Sequence, residues 1–187
     1  MRLSFTLCTL ALFVSACQSA SQYRGDEHSS YYLPPTGSTL VLNQELTIPA
    51  EAVGVYIQDG RVQPASQLRR YYPHCKFDMN TRRTGERKVV PNSFSIVRAL
   101  QDVAERDAPT MGYAKHSFFI KVADYEQGGS PLGEFTTHMY LQSKTQPDVY
   151  QLTCLQWGDL PDDSYLSIAD IRRTLGSIFT LEVPPPK

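Results

Sequence analysis

Four histidines, His28, His74, His116 and His138, are the side chains of this chain that titrate nearest neutral pH. Two or three of them together would make a metal site or a general acid–base centre. Their spacing argues against it. If the glycine-rich loop 127–133 joins neighbouring strands, paired positions sum to about 260. His138 then faces Lys121 or Val122, and His116 lies a strand length away. His74 and Cys75 have the elements of a cysteine–histidine nucleophile, but adjacent residues on a strand point to opposite faces. There is no G-x-S-x-G elbow, and Ser130 precedes Pro131 in what reads as an open turn. Phosphate-cradling glycine motifs are absent. Asp159, Asp162 and Asp163 offer a carboxylate cluster for a cation or for acid–base work. Placed just ahead of a helix, they equally suit its positive N-terminal end. These residues lead us to expect no enzyme, no metal and no cofactor.

The elements that carry these residues are mostly strands. Tyr is abundant, and Val, Ile, Thr and Phe are frequent, a composition that favours sheet. Thr39 to Ile48 alternates in polarity, with a turn or bulge at Asn43-Gln44, and Pro49 ends it. Ala52 to Gln58 is a second strand, and Asp59-Gly60 is a hairpin turn leading into Arg61-Val62-Gln63. Cys75, Phe77 and Met79 alternate with Lys76 and Asp78, which puts the cysteine on an inward face. Phe94 to Leu100 alternates too, although a helix capped at Asn92 or Ser93 competes, because good helix formers follow. Strands over Ser117–Tyr125, Glu134–Gln142 and Val149–Trp157 with short connections make an antiparallel meander. In the last of these, Tyr150, Leu152 and Cys154 share one face, and Leu155 and Trp157 the other. Ile168, Ile171 and Leu175 fall at helical spacing in Ser164–Leu175, with Ser164 or Ser167 as cap and Gly176 as stop. A final strand, Ser177–Val183, precedes three prolines. The expected fold is α+β and mainly β. An antiparallel meander sheet, open-barrel or sandwich-like, carries one C-terminal helix.

The first residues set the compartment. Arg2 is followed by an apolar run from Leu3 to Val14, too short to span a bilayer, and then by Ser15 and Ala16. The run Val14-Ser15-Ala16-Cys17 resembles the lipobox of bacterial lipoproteins, with Val14 where Leu is more usual. The resemblance implies that residues 1–16 are a signal peptide, that the Cys17 thiol receives a diacylglycerol and that the new amino group is acylated. Gln18 after Cys17 implies the outer membrane, with the domain facing the periplasm. The alternative is an ordinary secretory signal cut after Ala16. Residues 17–38 read as the lipidated cysteine and a flexible linker, and 39–187 as one β-rich domain. Cys8 leaves with the leader and Cys17 takes the lipid. Cys75 and Cys154 remain, an even pair in an oxidising compartment. One disulfide is the simplest reading, two separate buried thiols the other. The disulfide would close a loop of about 80 residues, stabilising by on the order of 4 kcal/mol in the chain-entropy view.

Charge limits the partners. The whole chain has 18 Lys+Arg and 19 Asp+Glu, and only Arg2 falls in the leader. The mature part is therefore slightly acidic, which excludes a nucleic-acid footprint. The exception is local: Arg82, Arg83, Arg87 and Lys88 form a basic loop that can meet lipid headgroups or polymer phosphates, or be a solvated hairpin end. Tyr140 and Tyr150, in adjacent strands, are candidates for stacking a sugar. The expected role is a non-enzymatic interaction or structural domain held at the membrane through Cys17 and docking an envelope protein partner. A glycan- or lipid-binding module using exposed tyrosines and the 82–88 loop is the alternative. Replacing Cys17 with Ser is expected to move the chain from the membrane pellet to the soluble fraction, and a variant that still pellets with membranes refutes lipidation.

Overall fold

A computed structural model describes residues 25–106, 132–160 and 164–186. Among these residues ten strands and one α-helix follow in order. They are β1 (Thr39–Leu42), β2 (Leu46–Ile48), β3 (Gly54–Gln58), β4 (Arg61–Gln63), β5 (His74–Met79), β6 (Arg87–Val89), β7 (Asn92–Arg106), β8 (Leu132–Gln142), β9 (Val149–Asp159), α1 (Ile168–Leu175) and β10 (Phe179–Glu182). Eight strands form one antiparallel sheet in the order β10-β1-β7-β8-β9-β5-β3-β4, and β2 pairs with β6 apart from it. The sheet curls into a half-barrel, and the fold is α+β and mainly β.

Alternation decides which face closes on the core. Phe77 of β5, Phe94 of β7, Met139 of β8, Leu152 of β9 and Leu40 of β1 are fully buried. The Phe77 ring centroid lies 5.1 Å from that of Phe179 and 5.9 Å from that of Phe94. The helix joins this core through Ile168, Ile171 and Leu175 and packs against β3, β5 and β10. It begins at Ile168 rather than Ser164, because Ser167 caps it. Ser167 Oγ accepts from the Asp170 backbone N–H, and the Asp170 carboxylate reaches back to the Ser167 N–H.

Cys75 and Cys154 form a disulfide. They stand directly opposite in the β5–β9 ladder, with Cα atoms 4.0 Å apart, on the core face. The Asp59-Gly60 hairpin forms as its sequence dictates. Both residues have positive φ, +52° and +70°, the conformation a two-residue turn needs to match strand twist.

Several expectations change. The strand expected over Phe94–Leu100 is present and runs on as one long strand, Asn92–Arg106, rather than giving way to the competing helix, because β1 and β8 supply partners along it. That pairing outweighs the helix propensity of 101–107. Val97 is passed over in the β7–β8 register, which steps between Ile96 and Arg98. His138 stands opposite Leu100 on one side and Thr153 on the other, not opposite Lys121 or Val122. Tyr150 does not share the face of Leu152 and Cys154. The register steps at Asp78/Met79, Val149 is buried, and Tyr150 turns outward. Residues 25–38, expected as part of a flexible linker, make specific contacts with the rest of the described chain. Glu27 forms an ion pair with Arg172, and its backbone oxygen accepts from Ala169 N–H at 3.0 Å. Ser30 bonds Gln101 and Ser164, while Tyr32 packs on the core. No apolar period announces this docking, because most of its contacts are polar and backbone-directed. The expected strand 117–125, His116 and Cys17 lie outside the described residues.

Gly176 ends the helix at φ +58°, and its N–H bonds to Arg172 O. A Cβ there would sit 2.5 Å from Gly60 Cα, so the helix end and the hairpin turn meet backbone to backbone. Gly176→Ala is therefore expected to lower the unfolding free energy by about 1–3 kcal/mol. Gly85→Ala, in open space, should change it by less than about 0.5 kcal/mol. Urea unfolding of the two variants checks this.

Candidate functional site

The face of the sheet turned away from the core is unusually polar for residues so enclosed. Register sets its rows. Across β8, β9, β5 and β3, His138 stands beside Thr153, Thr153 beside Lys76, and Lys76 beside Tyr56. One row along, Thr136 is beside Leu155 and Leu155 beside His74. At the end of β9, Trp157 is paired with Glu134. In the other direction Tyr140 neighbours Gln151, Gln151 neighbours Asp78, and Asp78 neighbours Gly54.

A groove of about 350 Å³ lies on this face, walled by Ala65, Leu68 and Arg70 from the β4–β5 connection. Its lining includes Tyr56, Lys76, Asp78, His74, Glu134 and Trp157. The wall is held by one amide. Gln58, 2% exposed, donates from Nε2 to the Arg69 carbonyl at 3.0 Å and accepts at Oε1 from the Arg69 N–H at 3.1 Å. The Tyr72 and Pro73 carbonyls lie 3.4 and 3.3 Å from the same Nε2. Tyr72 O also accepts from His74 Nδ1 at 2.9 Å. That bond fixes the proton on Nδ1 and leaves Nε2 as the acceptor nitrogen of the neutral ring.

Charge inside the groove is answered locally. The Lys76 ammonium lies 2.7 Å from Asp78 Oδ1, an ion pair without hydrogen-bond alignment. Lys76 also sits 5.7 Å from the centre of the Tyr56 ring. Trp157 Nε1 donates to Glu134 Oε2 at 2.9 Å. The Arg70 guanidinium lies 5.9 Å from the Trp157 ring centre, and Tyr71 meets that ring edge-on at 5.8 Å. Gly54 gives Asp78 its room, since a Cβ at 54 would strike both the Phe77 carbonyl and the Asp78 carboxylate.

The groups that could react are spread out. His74 and Glu134 lie two strands apart and one row offset, roughly 12 Å between backbones by sheet spacing. Burial has the larger effect on the His74 ring, lowering its pKa, and the Glu134 carboxylate still acts on that ring, pulling the pKa upward. His74 and Asp78 are four residues apart on one strand, roughly 13 Å. Among the described residues no group of three His, Cys, Asp or Glu side chains is arranged to hold a metal ion. What the arrangement supplies is donors, acceptors and aromatic faces over an open floor.

The residues singled out from sequence lie elsewhere. The disulfide is on the core face of the same two strands, behind the groove. In the basic loop, Arg87 is largely buried, donating to Asp148 at 2.6 Å and also bonding Thr81 O. Arg83 approaches the same carboxylate at 3.8 Å, Lys88 pairs with Glu45 at 2.8 Å, and Arg82 is exposed. Acids distant in sequence thus answer charges that look uncompensated along the chain. Tyr140 and Tyr150 do meet, edge-on at 5.6 Å, with Arg98 over Tyr140. Asp159 ends β9, and Asp162 and Asp163 lie outside the described residues. His138 accepts at Nδ1 from Gln151 Nε2 at 2.6 Å and does not reach the lining of the groove. The outward set Lys76 and Asp78 was visible in the alternation around Cys75. Alternation around Cys154 sets Trp157 on the opposite face too, but that Glu134 and the Arg70 wall stand beside it was not visible, because no local pattern tells which strands become neighbours.

Comparison of the chain with protein-family models, with curated proteins and with solved structures finds no match.

Burial lowers the pKa of His74 and of His138 below the ordinary histidine range, His74 more deeply enclosed than His138. The folded state therefore binds fewer protons than the unfolded state as pH drops through that range. The stability these neutral rings contribute is fully present above the unfolded histidine pKa and is lost as pH falls toward the depressed folded values. Unfolding midpoints should fall between pH 7.5 and 5.5, and the double variant H74Q/H138Q should flatten that slope.

Proposed function

We propose that the chain is a membrane-tethered envelope lipoprotein, anchored through Cys17, whose domain binds a ligand in the outer-face groove without transforming it. The observation that carries the binding half is the groove itself. Its wall is fixed by the buried Gln58 amide, and its floor presents polar and aromatic side chains on rigid strands. Preorganised polar groups beside apolar surface are what a ligand site requires. Acid–base chemistry would instead need a proton donor or acceptor pair within hydrogen-bond reach of one reacting atom. No side chain pair of this kind is hydrogen-bonded in the groove among the described residues apart from Trp157 with Glu134, which favours holding over turnover. The tether rests on the leader and the lipobox-like Val14–Cys17. The Cys75–Cys154 disulfide fits an oxidising compartment. The basic loop is a weaker candidate surface, since Arg87 and Lys88 are engaged by Asp148 and Glu45.

Photo-cross-linking in cells distinguishes the groove from other surfaces. A benzophenone side chain replacing Ala65, in the groove wall, is expected to give a discrete adduct. One replacing Val97, exposed on β7, should give none. Adducts from position 97 but not from 65, or from neither, would overturn the groove as the binding site.

A further inference from the structure

The lining of the groove also speaks to the class of ligand. Among the described lining residues two cations, Arg70 and Lys76, are balanced by two carboxylates, Asp78 and Glu134, and the buried His74 is neutral. Each cation already faces a partner inside the groove. Lys76 has Asp78 at 2.7 Å, and Arg70 has the face of Trp157 at 5.9 Å. An anion drawn to Lys76 would compete with Asp78, and a cation drawn to Asp78 would compete with Lys76. Either would leave one member of a half-buried pair uncompensated, which is costly. A neutral ligand avoids that cost. Its hydroxyls can accept from the Lys76 N–H groups, which make no aligned bond to Asp78, and donate to His74 Nε2 and the carboxylates. Bonds of this kind to charged groups are stronger than neutral ones.

The aromatic residues set the length. Tyr56 and Trp157 stand two strands and two rows apart, roughly 16 Å between backbones. Leu68 and Leu155 add apolar surface to the lining between them. An amphipathic ligand that alternates apolar ring faces with hydroxyl edges matches this surface, and the span calls for several linked rings rather than one.

We infer that the groove binds an uncharged, polyhydroxylated chain, a short glycan segment laid between Tyr56 and Trp157, with Lys76 and Thr153 beneath its Tyr56 end and His74 and Leu155 beneath its middle. The inference rests on the groove being the binding site, and it adds the ligand class.

Trp157 is the single tryptophan of the chain, so intrinsic fluorescence reads this groove directly. The test uses the intact chain, purified in a detergent without a sugar headgroup, and titrates it with maltotriose, cellotriose and chitotriose. Trigalacturonate and a glucosamine trimer are the charged probes. At least one neutral trisaccharide is expected to give a saturable change whose midpoint stays the same from low to high salt. Tyr56→Leu, which removes a stacking face, and Thr153→Val, which removes one neutral hydrogen bond, should each weaken it by a few-fold to about tenfold. Both variants keep the Trp157 reporter, and an unchanged thermal midpoint certifies their fold. Saturation by a charged trimer alone, weakening with salt, overturns the ligand class while the groove stands. Silence with all three neutral probes overturns the class too. If position 65 still cross-links, the groove survives; if it does not, both readings fall.

Discussion

One register governs this molecule: β5 lies antiparallel to β9 with Cys75 opposite Cys154. This ladder joins the β3–β4 hairpin to the β7–β8–β9 meander and so makes one sheet of two parts. The disulfide holds it at a sequence separation of 79 residues, where chain entropy would otherwise oppose the pairing most. A slip of one residue would send Phe77 outward and Lys76 and Asp78 into the core. The burial of Cys75, Phe77 and Met79 makes that slip prohibitive, and the polar outer face is its mirror consequence. The core and the groove are thus two sides of one alternation.

The groove depends next on how its wall is secured. The β4–β5 connection carries exposed Tyr71, Tyr72, Arg69 and Arg70 and has little apolar surface to bury. A segment of that kind gains order from hydrogen bonds to its backbone rather than from packing. Gln58 provides them from within the sheet, and His74 adds one from the next strand. Both side chains are nearly fully enclosed, so leaving them unpaired would be costly. The same two residues therefore couple the order of the wall to the integrity of the strands. The Gly60–Gly176 contact does a similar service on the other side of the hairpin, seating its turn on the end of α1.

Local sequence carried much of this. Alternation located most of the strand segments, and Asp59-Gly60 formed its turn because positive φ is cheap there. Ser167, Asp170 and Gly176 delimited the helix, each for a reason contained within a few residues. The misjudged places share a cause. Residues 101–106 have helix-forming side chains and became strand because β8 lies beside them. The segment 25–38 has no periodicity, yet Glu27 and Ser30 find partners more than 70 residues away. By alternation Tyr150 shares the face of Leu152, yet the register step at Asp78/Met79 turns it outward. Charges around Arg87 looked uncompensated until Asp148 and Glu45 arrived from other elements.

By itself the sequence determined the strand-rich class, the helix and its stop, the hairpin turn and the inward set on β5. Each of these depends on residue chemistry or on a period of two or 3.6, which is local information. Only the tertiary structure decided that Trp157 and Glu134 become neighbours of His74, Lys76 and Tyr56 across adjacent strands, and that Gln58 holds a wall beside them. Which strands become neighbours, and in what register, is settled by long-range burial of the whole sheet. The groove that holds these side chains has no counterpart in any stretch of the chain.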